Sequence, residues 1–188
     1  MRKLALGNVA RAAVDGDPRA LAQLLEELEP LVVRTVRLIV GPGKAAAEDA
    51  AQEALTDLAR RIGTLRNPDS VIAWTARIAT RRAMRAARFD RLTRQRETTF
   101  LQSAGIADGG ERRTALSDAF DRLPRRQRAI AVLRLYVGLS EAETADALGI
   151  SVGAVKSQFH AARKRLAEYL QDAGVAPSAR VPTTKGTS

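Results

Sequence analysis

Apolar residues in this chain recur at steps of three and four, the spacing of a buried helix face, and no segment shows the strict alternation of a half-buried strand. Ala, Leu, Arg and Glu, all good helix formers, dominate the periodic stretches. The first predicted helix starts at Asp17-Pro18, with Asp17 as N-cap and Pro18 in the first turn. Its stripe is Leu21, Leu24, Leu25 and Leu28. Leu31 to Val40 continues or restarts it after Pro30, and Gly41-Pro42-Gly43 ends it. Ala47 to Ile62 places Ala51, Leu55, Leu58 and Ile62 on one face, with Asp49, Gln52, Glu53, Thr56 and Arg60 opposite. Asn67-Pro68 caps a further helix running to about Arg88. Two more follow, over Leu116 to Leu123 and Pro124 to Val137. The fold class this predicts is all-α.

The sharpest local pattern lies between Ser140 and Leu170. Ser140 and Glu143 make a capping box for a short helix, Glu141 to Leu148, which Gly149 stops. Ser151 caps the next helix, so a three-residue turn joins the two. Ala145 is a small residue for the crossing, Gly149 can enter the left-handed region at the turn, and Val155 is an apolar anchor. Together they specify a helix-turn-helix. Val155, Phe159, Ala162, Leu166 and Tyr169 or Leu170 form the buried stripe of its second helix. A recognition helix lays its N-terminal outward residues on base edges in the major groove, so Gly153, Ala154, Ser157 and Gln158 are candidates for base readout. Lys156, Arg163, Lys164 and Arg165 are candidates for phosphate contact, which positions the helix without reading sequence; His160 is a phosphate contact or a surface residue, and Ser151 joins the DNA-binding candidates.

Composition narrows the chemistry. The 188 residues include no Cys and one His, which excludes a disulfide framework, a thiolate zinc site and cysteine nucleophiles, and argues against a histidine metal or acid/base centre. No cofactor, metal or small-molecule substrate is expected. No apolar run approaches the ~20 residues of a membrane span. Met1 to Ala13, broken by Asn8 and Arg11, lacks a signal-peptide core, so a soluble cytoplasmic protein is expected. The net charge of +10 is local: residues 1–59 carry −2, 60–96 carry +9, 97–111 carry −3 and 112–171 carry +5. The acidic spacer holds Gly105, Gly109 and Gly110 and has no apolar period. The expected organisation is a helical domain over 1–90, a flexible linker over 91–111, a helix-turn-helix domain over 112–171 and a disordered, Pro-, Ser-, Thr- and Gly-rich tail over 172–188.

In the helix after Asn67-Pro68, Arg77, Arg81, Arg85 and Arg88 fall on one face at steps of four, four and three, with Ile72, Ala76, Ala79, Ala83 and Ala86 opposite. Solvated charged faces mix signs, yet no acid lies between Asp69 and Asp90, so this stripe fits a nucleic-acid backbone. Trp74 either stacks on an unpaired base or packs into the core with Val71 and Ile78. Asp49, Glu53 and Asp57 share a helix face with no second set of ligands elsewhere, which suits a docking surface better than a two-carboxylate centre.

Taken in order, Glu48-Asp49-Ala50-Ala51-Gln52-Glu53-Ala54-Leu55, Trp74-Thr75-Ala76-Arg77-Ile78-Ala79, Leu123-Pro124, Val155-Lys156-Ser157 and Ala162-Arg163 resemble a bacterial RNA polymerase sigma factor of the extracytoplasmic-function group, across residues 15–171. The resemblance implies two helical domains, a region 2 bundle and a region 4 helix-turn-helix, that bind core RNA polymerase through its β′ and β subunits and recognise promoter DNA. It places Asp49, Gln52, Glu53 and Thr56 on the β′ coiled coil. It gives the minus-ten element, including a flipped base, to the Leu65 to Ser70 loop with Arg66 and Asn67, and to Trp74, Arg77, Arg81, Arg85 and Arg88. The minus-thirty-five duplex goes to Val152 to Arg165. An anti-sigma factor is a further partner implied by resemblance alone. Arg81, Arg85 and Gln158 stand where the family usually has Asn, often Asp and often Arg, so promoter preference does not transfer from relatives.

The main competing function is a free-standing helix-turn-helix regulator that binds duplex DNA as a dimer. An enzyme acting on nucleic acid would need a carboxylate or histidine cluster that the chain does not assemble.

Overall fold

The computed structural model describes residues 2–41, 45–97 and 115–174. Its elements are α1 (Arg2–Val14), α2 (Pro18–Val40), α3 (Ala45–Arg61), α4 (Val71–Glu97), α5 (Ala115–Asp121), α6 (Arg125–Ala131), α7 (Glu141–Leu148) and α8 (Val152–Asp172). Two 3-10 turns, Ile62–Thr64 and Pro68–Ser70, connect α3 to α4, and a π-helical segment, Val132–Val137, prolongs α6. Among the described residues there is no strand.

Helix α2 begins where Asp17 Oδ1 accepts the N–H groups of Arg19 at 2.8 Å and Ala20 at 3.4 Å. It does not break at Pro30. An interior proline costs about 3 kcal/mol or more, but Leu24, Leu28, Val32, Val36 and Ile39 are all at most 1% exposed. Each contributes about 1.5–3 kcal/mol of burial, so one continuous stripe outweighs the lost hydrogen bond. Pro30 itself lies on the exposed side. Gly41, at φ 115°, ends the helix with its N–H on Arg37 O at 2.9 Å.

Helix α1 carries no capping or periodicity signal strong enough to predict it. Its buried residues are Leu6, Ala10 and Ala13, packed with Leu24, Leu28, Leu65 and Val71. It lies close on the Pro68–Ser70 turn, where a β-carbon on Gly7 would sit 2.7 Å from Asp69 Oδ1. Small residues make that approach feasible and leave little hydrophobic pattern to read.

The buried face of α3 is Ala47, Ala50, Ala51, Ala54 and Leu58, whereas Leu55 and Ile62, assigned to it by spacing, are half-buried. Helix α4 runs past Arg88 to Glu97, into the segment expected to be linker. The rest of that linker, and tail residues from 175 onward, lie outside the described residues. In α6 and its π segment, Ala129 to Leu133 are five consecutive fully buried residues, enclosed on every side.

The two halves of the chain are packed together. Helix α2 contacts α5, α6 and the π segment, and α4 contacts α7. A single core cluster joins Val32, Val36 and Ile39 of α2 with Phe120, Leu123, Val132, Ala162 and Leu166.

Candidate nucleic-acid interface

Three local devices build the helix-turn-helix. Ser140 Oγ accepts Glu143 N–H at 3.2 Å, and Glu143 Oε2 accepts Ser140 N–H at 2.8 Å, which completes the capping box. Gly149 at φ 65° turns the chain, and Ile150 N–H closes the turn on Ala145 O at 3.0 Å. Ser151 Oγ accepts Ala154 N–H at 3.1 Å to start α8. Beneath the turn, Ile130, Ala145 and Val155 form a buried cluster with Phe159 and Ile150 half-buried around it.

On α8, Ser151, Gly153, Lys156, Ser157, His160, Arg163 and Lys164 are exposed, and Ala154 is half-buried. Gln158 is also half-buried: its Oε1 accepts from Gln127 Nε2 at 3.2 Å. Gln127 Oε1 in turn accepts from Arg165 Nη1 at 2.9 Å, so Arg165 braces the scaffold instead of standing free. Arg134 and Arg163 both lie over the Phe159 ring, 5.3 and 6.0 Å from its centroid.

On α4, Arg81, Arg85 and Arg88 are exposed and have no ion-pair partner among the described residues. Arg77 is different: its Nη1 lies 2.7 Å from Asp146 Oδ2 on α7. Arg66 and Asn67 are exposed before α4, and Asn67 Oδ1 accepts Asp69 N–H at 3.1 Å as the cap of the Pro68–Ser70 turn. Trp74 is half-buried and packs against two core clusters at once, which takes up much of its ring.

Arg82 escaped the sequence reading. It sits one residue off the stripe, and its guanidinium reaches Glu53 Oε2 at 2.7 Å and Asp57 Oδ2 at 2.5 Å. The hydrogen bond to Asp57, then the charges of Asp57 and Glu53, hold this guanidinium above its ordinary value against the desolvation that lowers it. The pair of acids one turn apart on α3 was the available signal. Of the docking candidates, Asp49, Gln52, Glu53 and Thr56 are all exposed, but Glu53 is engaged in this clamp and Thr56 Oγ1 donates to Gln52 O at 2.9 Å.

Arg128 is a second unforeseen brace. It donates to Asp121 Oδ1 at 2.9 Å, to the Asp121 carbonyl and, at 3.4 Å, to Ile39 O at the end of α2. Burial pulls its pKa below the ordinary value, and the Asp121 charge opposes that.

Among the described residues no helix is long and apolar enough to cross a membrane. The family models described as sigma-70 region 2 and sigma-70 region 4 match residues 24–93 and 113–166. The ECF RNA polymerase sigma factor SigD of Mycobacterium tuberculosis is 33% identical over 181 residues, 90% of this chain and 85% of that protein. SigM of the same organism is 34% identical over 165 residues, 85% and 81% of the two chains. CnrH, solved in complex with the cytosolic domain of CnrY, shares the fold at TM-score 0.65 and 24% identity, over 89% of this chain and 98% of that one. RpoE, solved with the anti-sigma factor NepR from Bartonella quintana, matches at TM-score 0.59 and 23% identity, over 80% and 96%. Two matched sigma-70 regions, in order on the helices just described, and this identity over nearly the whole chain establish that the protein belongs to the extracytoplasmic-function RNA polymerase sigma factors.

Proposed function

We propose how this sigma factor divides promoter-specific initiation among its surfaces. The exposed α3 face of Asp49, Gln52 and Thr56, with Glu53 at its edge, docks on core RNA polymerase. Arg81, Arg85 and Arg88 of α4, together with Arg77, Trp74 and the Arg66-Asn67 turn, hold the melted minus-ten strand. Gly153, Ala154, Ser157 and Gln158 of α8 meet base edges of the minus-thirty-five duplex, while Ser151, Lys156, His160, Arg163 and Lys164 contact its backbone. The observation that carries this reading is that all of the proposed phosphate contacts on α8 and three arginines of α4 point into solvent from helices whose other faces are locked into core. The protein's own part is binding and strand capture, and the polymerase performs the chemistry. Flipping a base costs a few kcal/mol, which stacking and cationic contacts to the freed strand offset. The anti-sigma factor NepR, bound to RpoE, offers a precedent for a protein antagonist of this chain.

The test is binding to purified bacterial core polymerase by the wild type and by Asp49→Lys/Gln52→Lys, which leaves the Arg82 clamp intact. Submicromolar binding by the wild type, weakened at least tenfold in the variant, is the expected result. Equal binding by both would remove α3 from the docking surface. Failure of the wild type to bind, alongside tight dimeric binding to duplex DNA, would replace the polymerase-dependent mechanism with a free-standing regulator.

A further inference from the structure

Three arginines that the fold leaves without acids converge on one cavity. A cleft of about 640 Å³ opens where α4 meets α6 and α7, lined by Thr80, Arg81 and Met84 of α4, Arg125 and Arg126 of α6, and Leu148 of α7. Its lining contains no carboxylate. Arg81 and Arg126 are exposed, Arg125 is half-buried, and none of the three has an ion-pair partner among the described residues. Other clefts differ in kind. One of about 600 Å³ carries Glu27, Asp69 and Glu143, and one of about 380 Å³ sets Asp49 and Glu53 beside Arg82 and Arg85. Thr80 adds an independent observation: it is fully buried in the wall of the cationic cleft, and its hydroxyl has no hydrogen-bond partner among the described residues.

We infer that this cleft binds a nucleoside di- or triphosphate, whose phosphates the three guanidiniums hold and whose base Met84 and Leu148 receive. The volume falls within the range of about 300–1,000 Å³ of small-molecule sites. Packing brings three like charges together, and an anion relieves their repulsion. Guanidinium forks match phosphate oxygens two at a time. One phosphate carries a charge of at most about −2, which leaves a cation over, so a chain of two or more phosphates fits better. A DNA strand fits less well, because its phosphates run in a row whereas these cations come from two helices and line one cavity. Since the lining comes from both halves of the chain, the bound anion ties them together and stabilises the fold. It also occupies Arg81, so it competes with the promoter strand; the competition, unlike the site, rests on the proposed role of α4.

The test is calorimetric binding of ADP, inorganic pyrophosphate and an octaglutamate peptide to the full chain at fixed ionic strength, with the melting temperature followed in parallel. ADP is expected to bind at submillimolar concentration and to raise the melting temperature. It should bind at least threefold more tightly than pyrophosphate, since only ADP reaches Met84 and Leu148. Arg125→Gln/Arg126→Gln removes two charge-assisted contacts and should weaken ADP at least tenfold. Without ligand this variant should melt no lower than the wild type, because a like-charge repulsion is gone. Arg11→Gln/Arg19→Gln removes the same charge from exposed positions outside the cleft and should leave ADP affinity within about twofold. No ADP binding up to about 5 mM, undiminished affinity in Arg125→Gln/Arg126→Gln, or equal losses in both double variants would overturn the site. Pyrophosphate binding as tight as that of ADP would remove a nucleotide as the occupant. Octaglutamate binding tighter than ADP, and lost in the same variant, would give the cleft to an acidic peptide. Binding of a labelled 12-nucleotide oligothymidine is measured on the same samples and should weaken at least twofold under saturating ADP. Oligothymidine binding that ADP leaves unchanged would overturn the competition at Arg81. Failure of the wild type to bind oligothymidine sinks the role of α4 alone, and failure to bind ADP sinks this site alone.

Discussion

Helices α4 and α8 both present basic faces, yet they reach that state by different routes. The face of α8 is set by its neighbours in sequence: the Ser140 and Ser151 caps, the Gly149 turn and a buried Val155 fix which residues point outward. On α4, the role of each arginine depends on what packs nearby. Arg82 turns to Glu53 and Asp57, Arg77 to Asp146, and Arg81, Arg85 and Arg88 have no ion-pair partner among the described residues. Four residues that look equivalent on a helical wheel are therefore not equivalent, and a fifth that looks off-register is the most firmly held.

The comparison can be broken most severely at Val155. Val155→Asp buries a charge in the helix-turn-helix cluster and should cost about 4 kcal/mol or more. Duplex binding should be lost and the melting temperature should fall, with oligothymidine binding by α4 the less affected of the two activities below the new melting point. On the other side, Arg82→Ala leaves Asp57 half-buried without its cation. Melting should report a loss of about 1–2 kcal/mol, discounted because the Glu53 contact is exposed to solvent. Arg88→Ala, which loses no acidic partner among the described residues, should leave stability within about 0.5 kcal/mol and weaken single-strand binding, with a shallower salt dependence. Ser140→Ala removes one half of the capping box and should lower stability by about 1 kcal/mol without changing α4. A last effect has the opposite sign. Thr75 is fully buried in α4 and its hydroxyl has no hydrogen-bond partner among the described residues, so Thr75→Val should be neutral or raise stability by up to about 1 kcal/mol.

What could be read in the sequence follows the same division. The all-α class, the helix-turn-helix and the start of α2 were legible because caps, glycines and three-four periodicity are local signals. Helix α1 was not, since its buried face is Leu6, Ala10 and Ala13, two of them alanines that pack closely and leave little periodic pattern to read. The passage of α2 through Pro30 depends on burial by distant helices, and so does the enclosure of Ala129 to Leu133. Arg82 and Arg128 were missed for a related reason: their partners lie on other elements, or, for Arg128, mostly on backbone carbonyls that composition does not display.

The placement of Gly7 against Asp69 reaches beyond packing. The turn that leads into α4 carries Arg66 and Asn67, and a loop fixed from behind has less conformational entropy to lose when a ligand arrives. On the proposed placement of the minus-ten strand at this turn, helix α1 acts as a backstop that is already in place before the strand binds. Sequence changes near the start of the chain, far from any base, would then be felt as slower capture or faster release of the strand at the other side of that turn.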